Sequence, residues 1–163
     1  MTIELIHTTG LDPRSLALRT AMDAETFGLY SEWFASLPGE ERARLDAALH
    51  TDQKDLTDVV IASEDGRDLG HAALRPLAGG GYEVKKVFVE PVARGRGLSR
   101  ILMKEIEDVA REKGETRIVL QTGEKQLEAI ALYVAIGYER IGSYGPYAGL
   151  DDLIFFGKDL GQP

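Results

Sequence analysis

The chain has 163 residues, 44% of them hydrophobic and 28% charged, which suffices to bury a core without metal or disulfide staples and excludes a disordered chain. It has no cysteine, so a disulfide framework, a thiolate zinc site and a cysteine nucleophile are excluded, and its three histidines, His7, His50 and His71, lack metal-ligand spacing. A net charge of −8 repels nucleic acid, keeps the surface soluble and leans toward a cationic small molecule as partner.

The chain opens on mixed polar residues, with no basic segment leading into an apolar stretch and no 18-residue apolar run. The expectation is one cytoplasmic domain over 1–163, a monomer or homodimer, with no membrane and no nucleic-acid partner.

Thr2 to His7 alternates as a first strand, and Gly10-Leu11-Asp12-Pro13 breaks it. Ser15 to Leu37 carries helical apolar spacing weakened at Gly28, so one helix or two shorter ones fit equally. A further helix runs from Glu40 to Leu49. Leu56 to Ser63, Leu69 to Pro76 and Tyr82 to Glu90 form an antiparallel meander, joined by Glu64-Asp65-Gly66-Arg67 and Gly79-Gly80-Gly81. Leu98 to Lys113 puts Leu98, Ile101, Leu102, Ile106, Val109 and Ala110 on one stripe, with Glu107 and Arg111 paired on the wet side, and Gly114 stops it. Thr116 to Gln121 is a strand, Lys125 to Ile136 a helix ended by Gly137, and Tyr138 to Ser143 and Leu153 to Lys158 are closing strands. The order predicts an α/β or α+β mixed sheet with a crossover at its parallel step.

The chemistry concentrates where the strand ending at Glu90 passes through Pro91-Val92-Ala93 into Arg94-Gly95-Arg96-Gly97 and straight into an amphipathic helix. The first turn of a helix leaves about four N–H groups unpaired and carries roughly half a positive charge, so an anion is bound there by backbone donors. Gly95 and Gly97 permit close approach and positive φ, and Arg94 and Arg96 add charge. A tight structural turn fits the glycines equally. The loop is not G-x-G-x-x-G, and no Gly-Lys-Ser/Thr follows it as in a P-loop.

Arg94-Gly95-Arg96-Gly97-Leu98-Ser99 resembles the acetyl-coenzyme A signature of GNAT acetyltransferases, with Ser99 in place of the usual last Gly or Ala. Ala129-Ile130-Ala131-Leu132-Tyr133 and Gly137-Tyr138 resemble a second segment of that family. The resemblance covers about residues 56 to 160 and implies a GNAT-like mixed, twisted sheet of about six to seven strands flanked by helices. It implies acetyl-CoA as donor and direct transfer of acetyl to a primary amine in a ternary complex. The alternative is a non-catalytic acyl-CoA-binding or regulatory module on the same fold.

Family roles carried onto matching positions make Glu83 the general base, acting directly or through water, and Tyr133 the acid that protonates the departing thiolate. An alkylammonium with a pKa of about 10.4 needs roughly 4 to 5 kcal/mol to expose its lone pair at pH 7, hence the base. The competing accounts are a Glu83 paired with Lys85 or Lys86 or facing solvent, and a Tyr133 packed in the core. By the same resemblance Val87, Phe88 and Val89 pair through their backbone with the pantetheine arm, and Gln126 contacts the cofactor. The loop from Arg94 through Gly95, Arg96, Gly97 and Leu98 to Ser99 holds the pyrophosphate. Tyr144 and Tyr147 resemble an acceptor-side segment, or else cover a turn with aromatic rings. His71 reads as a packed or surface residue, not a catalytic one.

Overall fold

The computed structural model describes residues 2–161. In chain order the elements are β1 (Glu4–Thr8), α1 (Pro13–Ser36), α2 (Gly39–Leu49), β2 (Asp58–Glu64), β3 (Arg67–Pro76), β4 (Tyr82–Val89), α3 (Leu98–Glu112), β5 (Arg117–Thr122), α4 (Leu127–Ala135), β6 (Glu139–Ile141) and β7 (Ile154–Asp159). The strands form one sheet in the order β1-β2-β3-β4-β5-β7-β6, antiparallel at every step except β4 to β5. This is the mixed α/β sheet that the element order predicts, with seven strands. No helix among the described residues is long and apolar enough to cross a membrane.

Strand periodicity of two distributes the apolar residues to both faces. Val60, Ala62, Ala72, Leu74, Val84, Ile118 and Leu120 meet Leu102, Met103, Ile106 and Ala110 of α3 and Tyr133 of α4. On the opposite face Val59, Ile61, Ala73 and Phe88 take Leu18 of α1, while Tyr147, Leu153 and Phe155 take Leu45 and Ala48 of α2.

One open point is resolved and two details differ from the sequence expectations. Residues 13–36 form one uninterrupted helix through the exposed Gly28, whose cost of about 1 kcal/mol the packing and the Asp12 cap absorb. Ile101 is 38% exposed and lies off the buried stripe of α3. Glu107 is buried rather than wet, accepting from Lys158 Nζ at 2.8 and 3.0 Å and from Tyr138 Oη at 3.2 Å, and Arg111 pairs with Asp108 instead. Glu107 sits at the margin of the stripe, where β7 brings Lys158 within reach.

Two irregularities of β4 position the site. Its parallel pairing with β5 covers only Glu83 with Val119 and Val84 with Leu120, so the two strands part and the rest of that edge of β4 is free. Its register with β3 also shifts between His71 and Ala73, where Lys86 takes a φ of 56°. A non-glycine residue in the left-handed region is strained and persists only when its surroundings fix it.

Candidate active site

Two cavities open where β4 and β5 part. One of about 550 Å³ is bordered by Val87, Phe88 and Val89 of β4, by Arg94, Gly95, Gly97, Leu98 and Ser99 of the glycine loop and by the start of α4. The other, of about 810 Å³, lies between α1, α2 and the parted strands. They share Met22, Thr26, Val87, Gln126, Ala129 and Tyr133.

In the first cavity Gly95 and Gly97 have φ of 77° and 79°. A Cβ at either would meet nothing within 4 Å, so the backbone conformation, not crowding, calls for glycine. Gly97 caps α3 without any side-chain hydrogen bond, and the N–H groups of Leu98, Ser99 and Arg100 have no acceptor among the described residues. That is an open set of anion-binding donors, and the residues fit a pyrophosphate. Arg94 lines this cavity over the Phe88 ring, its Nε on the Val89 carbonyl and its Nη atoms bidentate on Glu25 at 2.9 and 2.6 Å. Arg96 lies off the cavity lining and forks onto Glu64 at 3.1 and 2.6 Å. Leu98 is buried and Ser99 borders the cavity.

Tyr133 is 5% exposed, stacks against Tyr138 and Phe156, and lines both cavities. Burial raises its pKa, so the phenol stays protonated and available as a donor. Gln126 also lines both; its Oε1 accepts from the Gly123 N–H at 3.0 Å and from Thr122 Oγ1 at 3.3 Å, which orients the amide. Tyr30 of α1 closes the larger cavity, its hydroxyl accepting from the Lys125 N–H at 3.0 Å.

Behind the larger cavity lies a buried polar cluster. Glu83 is fully buried, lines neither cavity, and accepts from Arg75 Nη2 and Tyr144 Oη, both at 2.5 Å. The Tyr147 hydroxyl accepts from Arg75 Nη2 at 3.1 Å and from Lys85 Nζ at 2.9 Å. Burial lowers the Lys85 ammonium to about 8 and raises the Tyr144 and Tyr147 phenols. Of these residues only Lys85 lines the cavity.

The family model described as "Acetyltransferase (GNAT) family" matches residues 24–138. The chain belongs to this family. The GNAT protein is 40% identical over 120 residues to a protein of Azospirillum brasilense named IAA acetyltransferase, covering 73% of this chain and 76% of that one. It is 29% identical to N-acetyltransferase 8B of Rattus norvegicus over 60% of this chain and 50% of that one. A Klebsiella pneumoniae structure assigned as an acyl-CoA N-acyltransferase superposes with a TM-score of 0.76 at 26% identity, over 98% of both chains. A Bacillus anthracis structure assigned as a streptothricin acetyltransferase, in complex with acetyl coenzyme A, has a TM-score of 0.57 at 18% identity over 68% of this chain and 69% of that one. The protein is thus a GNAT N-acetyltransferase, and its acetyl donor is acetyl-CoA.

Of the residues singled out from sequence, the GNAT fold gathers Val87, Phe88, Val89, Arg94, Gly95, Gly97, Leu98, Ser99, Gln126 and Tyr133 around one cavity. It sets Glu83, Tyr144 and Tyr147 behind the other, in mutual contact. Glu83 faces neither solvent nor a lysine: its ionic partner is Arg75, across the strand pair.

Sequence reasoning missed Lys85 and the inner end of α1. The parity of Glu83 and Lys85 on β4, opposite Arg75 and Ala73, is the signal that places both cations on the α1 face. It also passed over what His71 does. Fully buried, His71 meets the Lys86 carbonyl through Nδ1 at 2.7 Å and Ser15 Oγ through Nε2 at 2.8 Å. Ser15 in turn accepts from Arg19 Nε at 3.2 Å. Burial lowers the imidazole to about 4, so it is neutral; Nδ1–H donates to the carbonyl, Nε2 accepts from the serine, and the left-handed Lys86 is held in place.

Proposed function

We propose that this enzyme transfers acetyl from acetyl-CoA to the primary amine of a small molecule, by direct attack within a ternary complex. The observation that carries the reading is the wall shared by the two cavities: the donor lies in the cavity bounded by the glycine loop, the acceptor in the larger one, and Tyr133 borders both. The relative named for IAA acetylation fits a small acceptor.

In this reading the free N–H groups at the start of α3, with Arg94 beside them, take the pyrophosphate, and Arg96 adds charge from outside the lining. The unpaired edge of Val87, Phe88 and Val89 offers backbone groups to the pantetheine arm as a neighbouring strand would. Lys86 in its left-handed turn aims the next N–H out of the ladder, toward the thioester oxygen. Gln126 contacts the cofactor with its amide nitrogen, since its oxygen is already engaged. Tyr133 supplies the proton to the departing thiolate. Glu83 acts on the acceptor indirectly, through Arg75, Tyr147 and Lys85, and Tyr144 and Tyr147 hold that cluster together.

The test is thermal shift with acetyl-CoA followed by thiol release against a panel of amines, on wild type and Tyr133→Phe. Stabilisation, release with at least one amine and a kcat lowered about 100-fold in the variant, at near-normal acetyl-CoA affinity, are expected. Stabilisation without release for any amine, or an unaffected variant, would refute the proposal.

A further inference from the structure

The cluster behind the larger cavity holds two cations, Arg75 and Lys85, and one carboxylate, Glu83. Arg75 and Tyr144 occupy both oxygens of that carboxylate. Lys85, only 8% exposed, has the Tyr147 hydroxyl as its hydrogen-bond acceptor and forms no ion pair among the described residues. An ammonium out of water with one neutral partner lacks compensation, and two of its three N–H donors remain to be satisfied. Lys85 lines the cavity, so that compensation can come from the cavity's occupant.

A second cation repeats the pattern. Arg42 of α2 lines the same cavity, gives Nη2 to the carbonyls of Ala35 and Leu37 at 3.1 and 3.0 Å, and has its buried Nε without a partner. The acids of this cavity do not answer either one: Asp23 is paired with Lys86, and Glu32 and Asp46 are exposed at its rim. Between cations and rim the walls are aromatic, with Tyr30, Trp33 and Phe34.

We infer that Lys85 is an anion-binding residue for the acceptor, and that the acceptor is an amine that also carries a carboxylate on an apolar or aromatic frame, as an apolar amino acid does. The inference rests on the reading of the larger cavity as the acceptor site. Rim acids draw in the ammonium end, the buried cation takes the carboxylate, and the aromatic walls exclude water from that pair, which strengthens it.

Two measurements test this. Thiol release is followed with apolar amino acids and with their carboxamides; the amides have the more readily deprotonated amines, so chemistry alone favours them. Wild type is expected to prefer the carboxylates by about 10- to 100-fold in kcat/KM. Lys85→Met should bring that ratio toward one, and Lys85→Arg should keep it. The second reads binding without turnover: hydrocinnamate, which has the carboxylate and no amine, should raise the melting temperature of the wild-type protein with coenzyme A. Hydrocinnamamide should not, and Lys85→Met should abolish the hydrocinnamate shift. No carboxylate preference in wild type, or an unchanged hydrocinnamate shift in Lys85→Met, overturns the inference. If Lys85→Met does not fold, the two wild-type comparisons decide. If no amine releases thiol while hydrocinnamate still stabilises wild type and not Lys85→Met, acetyl transfer in this cavity fails and the anion site stands.

Discussion

His71 makes the stability of this enzyme pH-dependent in a window set by its burial. An ordinary histidine titrates near 6.5, and here desolvation, with Arg19 and Lys86 nearby, lowers it to about 4. Between those values the unfolded chain binds a proton that the folded one refuses, so stability rises with pH. The contribution is complete above about pH 6.5, falls as the pH drops, and levels off below about pH 4. Its full size is about 3 kcal/mol, and about 2 kcal/mol is gone by pH 5. The native hydrogen bonds explain why protonation is resisted: Nε2 would become a donor facing Ser15, whose oxygen already accepts from Arg19. Urea unfolding of wild type and His71→Asn at about pH 7.5 and pH 5 isolates the effect, because the variant keeps a donor near the Lys86 carbonyl and cannot titrate. Wild type should lose about 2 kcal/mol more than the variant across that interval. A difference that stays flat would mean that the imidazole titrates in the native state as it does in the unfolded chain, and the neutral relay would be wrong.

Gly97→Ala places a Cβ in open space but at φ of 79°, so the cost is conformational, about 1 to 2 kcal/mol by thermal unfolding, with weaker acetyl-CoA binding by calorimetry; unchanged affinity would detach the loop from the donor site. Glu83→Gln leaves Arg75 buried without its carboxylate and should cost about 3 to 5 kcal/mol in urea unfolding, together with a changed pH–rate profile; a change near zero would mean that the cluster is hydrated. Leu102→Ala, fully buried between α3 and the sheet, should cost about 3 to 5 kcal/mol by the same assay, and a loss under 1 kcal/mol would show that α3 settles into the space.

Much of the architecture was legible because its signals are local. The apolar, β-branched run of Val59 through Ala62, the stripe of α3 and the glycines at 95 and 97 each declare themselves within a few residues. What was hidden depends on neighbours distant in sequence. Lys86 carries no glycine or asparagine to advertise a left-handed turn, which is imposed by a histidine from β3. Glu107 looked solvent-facing until Lys158, from the far strand, came to it. Glu83 stood out by its match to a family position, but its partner Arg75 is revealed only by the strand register. The α1 wall of the larger cavity has no motif, since Met22, Thr26 and Tyr30 line it by shape and place.

The wall between the two cavities also governs the energetics of filling them. Met22 and Thr26 reach it from α1, which the Glu25–Arg94 fork ties to the glycine loop, and Tyr133 reaches it from α4. Filling one cavity therefore restrains side chains that the other would otherwise have to order at its own expense. By thermodynamic reciprocity, whatever factor an occupant of one cavity adds to affinity in the other is returned to it, so a substitution at Met22 or Thr26, which line both, is expected to shift both binding constants.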